Sequence, residues 1–297
     1  MNALEAGFLL LTSQLGDPDR KPLTVAQFRT LAQRVRNSEH LAAERELQTQ
    51  DLLVLGYSQQ MAQRIVTLLE DQTLLEYYLS RARKCDCVPL TRAGEMYPLR
   101  VRQALGEDSP GCLWAKGDLS LLEKPCVSLV GSRDLRTDNR KFARQVGFAA
   151  AKQGFVLVSG NARGADKTAQ ESCLEAGGSV ICVVADSLEK QKPAQNVLCL
   201  SEEGFDSPFS SQRALSRNRV IHTMGAATFV AQSSYGAGGS WDGTAKNLQH
   251  DWNCVFCYDD GSDAAAELGQ MGAHLIQSDD LRDINMLLKA NAQLRIV

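Results

Sequence analysis

Val127-Ser128-Leu129-Val130-Gly131-Ser132-Arg133 and Val156-Leu157-Val158-Ser159-Gly160-Asn161-Ala162-Arg163-Gly164-Ala165-Asp166 share one plan. Each is an apolar run that stops at a Ser/Gly turn carrying an arginine, and each turn leads into a helical pattern. Short apolar runs followed by helices predict strands of a parallel sheet, with both turns at the carboxyl ends where ligand crevices form. Small residues let a phosphate approach the backbone, and the following helix start offers unpaired N–H groups with partial positive charge. The expected ligand is an anion.

The alternation continues outward from these two segments. Helices are predicted over 139–153 and 165–176, and strands over 180–184, 197–200, 228–232 and 254–258. Further helices are expected near 211–224, 242–250, 263–271 and 279–290. This pattern predicts an α/β fold, a Rossmann-like open, mostly parallel sheet with helices on both faces. Residues 1–84 read instead as a small all-α domain. Phe28, Leu31 and Val35, then Ile65, Leu68 and Leu69, recur at helical spacing, and 52–69 reads as a helix hairpin turning at Gly56. Packing within a small bundle is the preferred role for that hairpin. Residues 85–297 would then form the core, with 85–125 as a connecting segment.

Composition narrows the function. With 297 residues, 44% hydrophobic and 23% charged, the chain is ordinary for a globular protein. No apolar run is long enough to span a membrane and no signal-peptide pattern opens the chain, so a cytoplasmic location without membrane contact is expected. Nine cysteines, scattered and mostly inside apolar runs, argue against a disulfide framework. Cys254 and Cys257 have the CxxC spacing but sit in a strand pattern with no second pair at zinc-ribbon distance. Net charge is −3, yet residues 126–220 hold thirteen Lys/Arg against ten Asp/Glu, and residues 221–297 hold four against nine. Any binding of nucleic acid must therefore come from a local basic pocket rather than bulk attraction.

Little points to catalysis. His40, His222, His250 and His274 show neither metal spacing nor pairing with a nucleophile, and Asp166 reads as a turn cap rather than a general base. No catalytic residue, metal or cofactor is assigned. The pattern is that of a holder.

Taken in order, the motifs resemble those of the DprA/Smf family of bacterial DNA-processing proteins. They are Tyr97-Pro98, Leu113-Trp114 with Gly117, Val130 to Arg133, Val158-Ser159-Gly160 with Ala162-Arg163-Gly164 and Asp166, Leu188, Pro193 and Asn196, Leu200-Ser201-Glu202, Arg217 to Ile221, Ser240 with Thr244-Ala245, and Gly272-Ala273 with Leu275-Ile276. The resemblance implies a single-stranded DNA-binding protein of DNA uptake and recombination, with the RecA recombinase as a possible partner and a homodimer formed through the core. It also implies that the winged-helix tail of many members is absent before Val297.

Carried over residue by residue, the resemblance assigns nucleic-acid or phosphate contacts to Gly131, Ser132, Arg133, Ser159, Gly160, Arg163, Gly164, Lys192, Arg217, Asn218, Arg219, Ser240 and Thr244. Arg133 leads, because its planar fork can pair two phosphate oxygens. Arg217 and Arg219 lie two apart on a helix, so one is expected to reach the ligand and the other to brace the loop. Base-stacking candidates are Tyr235, Trp241 and Phe209, while Trp252 is expected to pack beside the last strand. The family pattern has Leu at Asn161, Ile at Ala165, Tyr at Lys192, often His at Gln170, and Phe at Ala214, where an aromatic could stack a base. These departures leave open a sensor of small nucleotides on the same core. A nucleotide hydrolase of the lysine-decarboxylase-like group is a third reading, but its Pro-Gly-Gly-x-Gly-Thr signature is missing.

Overall fold

The computed structural model describes residues 1–38 and 46–294, so His40 lies outside the described residues. Five helices come first: α1 (Ala3–Thr12), α2 (Val25–Arg36), α3 (Thr49–Val54), α4 (Gln59–Glu70) and α5 (Gln72–Lys84). There follow β1 (Val88–Thr91), α6 (Leu99–Leu105), β2 (Cys112–Gly117), β3 (Cys126–Val130), α7 (Thr137–Lys152), β4 (Val156–Ser159), α8 (Ala165–Glu175), β5 (Ser179–Val183) and β6 (Val197–Ser201). The chain continues through α9 (Ser211–Ser216), α10 (Asn218–Met224), β7 (Ala227–Val230), α11 (Gly238–His250), β8 (Cys254–Tyr258), α12 (Asp263–Gln270), β9 (His274–Ile276) and α13 (Ile284–Leu294).

All nine strands form one sheet in the order β1-β2-β6-β5-β4-β3-β7-β8-β9. From β6 to β9 every pair is parallel, and β2 and β1 extend the sheet antiparallel. From β3 the chain steps outward through β4, β5 and β6, then returns to β7 on the other flank of β3. The boundary between β3 and β7 is therefore the topological switch point, and the crevice beyond its carboxyl end is where such sheets place ligands.

Side chains alternate across the strands because successive residues point to opposite faces. Val127, Leu129, Leu157, Val180 and Phe229 join α7 and α8 on one face. Val130, Val156, Val158, Ile181, Val183 and Val230 meet α6, α10 and α12 on the other. Cys254 and Cys257, three apart on β8, belong to opposite cores, so one metal ion cannot bridge them. None of the nine cysteines is in a disulfide.

The segment expected to be a connector holds β1, α6 and β2, which widen the sheet. Leu9, Leu10, Leu75 and Tyr78 of α1 and α5 are part of the same core cluster as Trp114 of β2. The ring of Tyr78 stands edge-on to Trp114 at 5.3 Å and against Phe205 at 4.7 Å. The remaining helices pack around Leu11, Phe28, Leu31, Leu52 and Ile65. In the 52–69 hairpin, Arg34 covers the Tyr57 ring at 4.4 Å and donates to the Leu55 carbonyl at 3.1 Å, so the turn is occupied by packing. Among the described residues no helix is long and apolar enough to cross a membrane.

Candidate functional site

Two hollows of about 410 Å³ each open at the carboxyl edge of the sheet and share a wall made of Arg133, Ala162, Ala214 and Arg217. The first lies at the switch point. Val130, Gly131 and Ser132 line it from the end of β3, and Ser233, Ser234 and Ala237 to Ser240 line it from the end of β7 and the start of α11. Leu215, Asn218 and Ile221 close it from above. Gly160, Asn161, Arg163, Val184, Ala185, Asp186, Gln191 and Phe209 line the second, beyond β4 and β5.

Local chemistry explains how the turns hold this shape. The Asp166 carboxylate sits in the first turn of α8 and accepts from the backbone N–H groups of Gly160 and Ala162, at 3.0 and 3.1 Å. It caps the β4 turn. Gly164 has φ +87°, and a Cβ there would overlap the Ser132 and Arg133 carbonyls, so this glycine lets the β3 and β4 turns touch. At Gly160 a Cβ would overlap the Arg217 guanidinium. The missing side chain is the space the arginine occupies.

Arg217 is only 7% exposed, and its Nη1 donates to the Val183 carbonyl at 2.8 Å. Its buried Nε has no hydrogen-bond partner among the described residues. Burial lowers its pKa, with Asp166 opposing and Arg133 adding to the shift, yet a guanidinium stays cationic across the physiological range. Asp166 moves the other way: burial raises its pKa, opposed by Arg217 and the two capping amides. Arg133 is exposed and makes no hydrogen bond or ion pair with another described residue. Two guanidiniums thus share one wall with a single buried carboxylate behind them. The first turn of α11, which has no side-chain cap, adds N–H groups on the same hollow.

Gly131, Ser132, Arg133, Gly160, Arg163, Arg217, Asn218 and Ser240 are brought together around the paired hollows. Arg163 donates to Asp134 at 2.7 Å, both side chains remaining largely exposed, so it is held at the rim by an exchangeable partner rather than by Asp166. The Asn218 amide donates to the Gly239 carbonyl at 2.9 Å and ties α10 to the glycine turn.

The other expected contacts lie elsewhere, each for a packing reason. Ser159 is fully buried and accepts from the Gln170 amide, because its place on β4 points it into the core. Thr244 is fully buried within α11 and lines neither hollow. Gly164 acts through the turn contact and lines neither hollow. Lys192 is exposed on the loop after β5 and reaches neither. Arg219 points the other way, to the Glu202 carboxylate and the Asp108 carbonyl, because residues 217 and 219 face different sides of α10.

Ser233 and Ser234 are lining residues that the sequence reading passed over, although they directly follow a predicted strand. Tyr235 is turned edge-on to Trp241 at 5.1 Å, and Trp252 stacks on His250 at 5.6 Å. Phe209 alone of the three base-stacking candidates lines a hollow. No group of three or more His, Cys, Asp or Glu is placed to hold a metal among the described residues.

A family model described as DNA recombination-mediator protein A matches residues 89–284. The DNA processing protein DprA of Streptococcus pneumoniae is 30% identical over 186 residues, covering 58% of this chain and 65% of that protein. The Bacillus subtilis DprA is 25% identical over 169 residues, covering 53% and 56%. The matches thus span less than two thirds of these relatives. Among solved structures, DprA from S. pneumoniae superposes with a TM-score of 0.71 at 23% identity, over 95% of this chain and 97% of that one. A Helicobacter pylori DNA processing protein A, described by its single-stranded DNA binding mode, gives 0.57 at 25% identity, over 69% and 96%.

Proposed function

Because this chain belongs to the DNA recombination-mediator protein A family, we propose that it binds single-stranded DNA by gripping the phosphate backbone at the wall shared by the two hollows. One observation carries this reading: Arg217, buried with an unused Nε, and Arg133, unpaired, stand together at the crevice edge. Two guanidiniums against one carboxylate leave a net positive charge at this wall, and an anion between them is stabilised. The H. pylori relative, whose description names a single-stranded DNA binding mode, supports the choice of polymer. The protein holds the strand rather than cutting it: Asp166 is spent on capping, and among the described residues lining the two hollows no serine hydroxyl is hydrogen-bonded to a histidine or a carboxylate. The cell role is cytoplasmic DNA uptake and recombination, with delivery of the strand to RecA. A homodimer through the core would use the β9 edge, where Met271 and Leu275 are exposed.

Fluorescence anisotropy with a labelled single strand of about 30 nucleotides at low salt tests the reading. Tight binding resisted by mononucleotide competitors supports it. Stabilisation by mononucleotides with no oligonucleotide binding would replace it with a small-nucleotide sensor.

A further inference from the structure

Building on that assignment, we infer that the second hollow is a nucleobase subsite whose stacking platform is Phe209, placed beside the phosphate held by Arg133 and Arg217. Phe209 is 55% exposed although the backbone on either side of it is tied down by hydrogen bonds. Arg213, buried behind it, donates from Nη1 to the carbonyls of Ala185, Ser207 and Pro208 at 3.0, 2.7 and 2.7 Å, which fixes the two residues before Phe209. Ser210, the residue after it, caps α9 by accepting from the Arg213 amide at 3.1 Å. An aromatic side chain is thus held in water by a pinned backbone, at a position where a mobile loop would let it fold inward.

Phe209 immediately precedes the helix cap, where an apolar residue often packs on the fourth helical position, here Ala214. Alanine is too small to cover an aromatic ring, and Phe209 as a residue stays more than half exposed. The rest of the hollow suits a flat, amphipathic guest. Val184 and Ala185 give an apolar floor, and Asn161, Asp186 and Gln191 add hydrogen-bonding groups at the rim. Stacking on an aromatic face tolerates every base, as a strand binder without sequence preference requires.

Phe209→Leu keeps an apolar residue at the helix start and removes the aromatic face. In the full chain it is expected to bind an oligodeoxythymidylate about fivefold or more weakly, while Phe209→Trp binds at least as well as the unaltered protein. Irradiation with a 5-iodouracil-substituted oligonucleotide should leave a mass-tagged adduct on the peptide containing Phe209. Unchanged affinity in Phe209→Leu, or adducts confined to Tyr235 and Trp241, would overturn the subsite while leaving the phosphate grip intact. If the unaltered protein binds no strand, both assignments fall together, and this outcome is distinguishable from the first.

Discussion

Arg217 shows how one residue links packing to ligand chemistry. Its guanidinium is anchored to the Val183 carbonyl, occupies the space left by the absent side chain of Gly160, and stands beside Asp166. Gly160→Ala is expected to displace the guanidinium rather than disturb β4, because the overlapping atoms are the far end of a flexible side chain. Loss of a charge-assisted contact of about 1.5 kcal/mol predicts strand affinity about tenfold weaker, checked by anisotropy alongside a melting curve. Near-unchanged affinity would place the anion away from Arg217. That an arginine lies at this turn was legible from the Arg217-Asn218-Arg219 motif. Which of the two arginines faces inward was not, since it depends on how α10 docks on β3 and on the Glu202 carboxylate that claims Arg219.

At the scale of elements, α10 and α11 are joined to β7 by a buried polar cluster. His222 Nδ1 lies 3.0 Å from the Asn247 amide and 3.2 Å from the Thr228 hydroxyl, and Asn253 bonds Asn247 at 2.7 Å. Burial pulls the His222 pKa down to about 3, so the folded protein keeps the ring neutral. In the unfolded chain the ring takes a proton near pH 6.5. Its contribution is therefore fully present above about pH 6.5 and is lost as pH falls toward 3, at up to about 1.4 kcal/mol per pH unit. Denaturation at about pH 7.5 and about pH 5 should show a smaller acid loss in His222→Gln than in the unaltered protein. Equal losses would contradict the buried neutral ring. The central strands were legible because both faces are covered and each reads as a continuous apolar run. β1 was hidden by Pro89, which is tolerated on an edge strand, and β9 by its three-residue length. The start of α11 was hidden by Gly238 and Gly239, which belong to its first turn although they read as a loop.

Across the whole molecule, the helical and sheet halves meet at an aromatic seam. Tyr78 is buried against Trp114 and Phe205, its hydroxyl donates to Asp206 at 2.5 Å, and Arg81 pairs with the same carboxylate at 3.1 Å. Tyr78→Ala is expected to lower unfolding free energy by about 3 kcal/mol or more, read from denaturant midpoints, whereas a loss below about 1 kcal/mol would mean the seam carries little. The same seam explains why residues 85–125 were misjudged from sequence: β2 pairs with β1, but it joins the rest of the molecule through Tyr78 before it and β6 far after it, and no local periodicity reports either. Strand binding by this fold depends on a phosphate held between Arg133 and Arg217. Titration of a single-stranded oligonucleotide across a salt series, with the unaltered protein and Arg133→Ala, tests this most directly. The prediction is weaker binding in the variant and a slope of log affinity against log salt shallower by about 0.7, the value for one lost contact to a single-strand phosphate. Equal affinity and equal slope in the two proteins would contradict it.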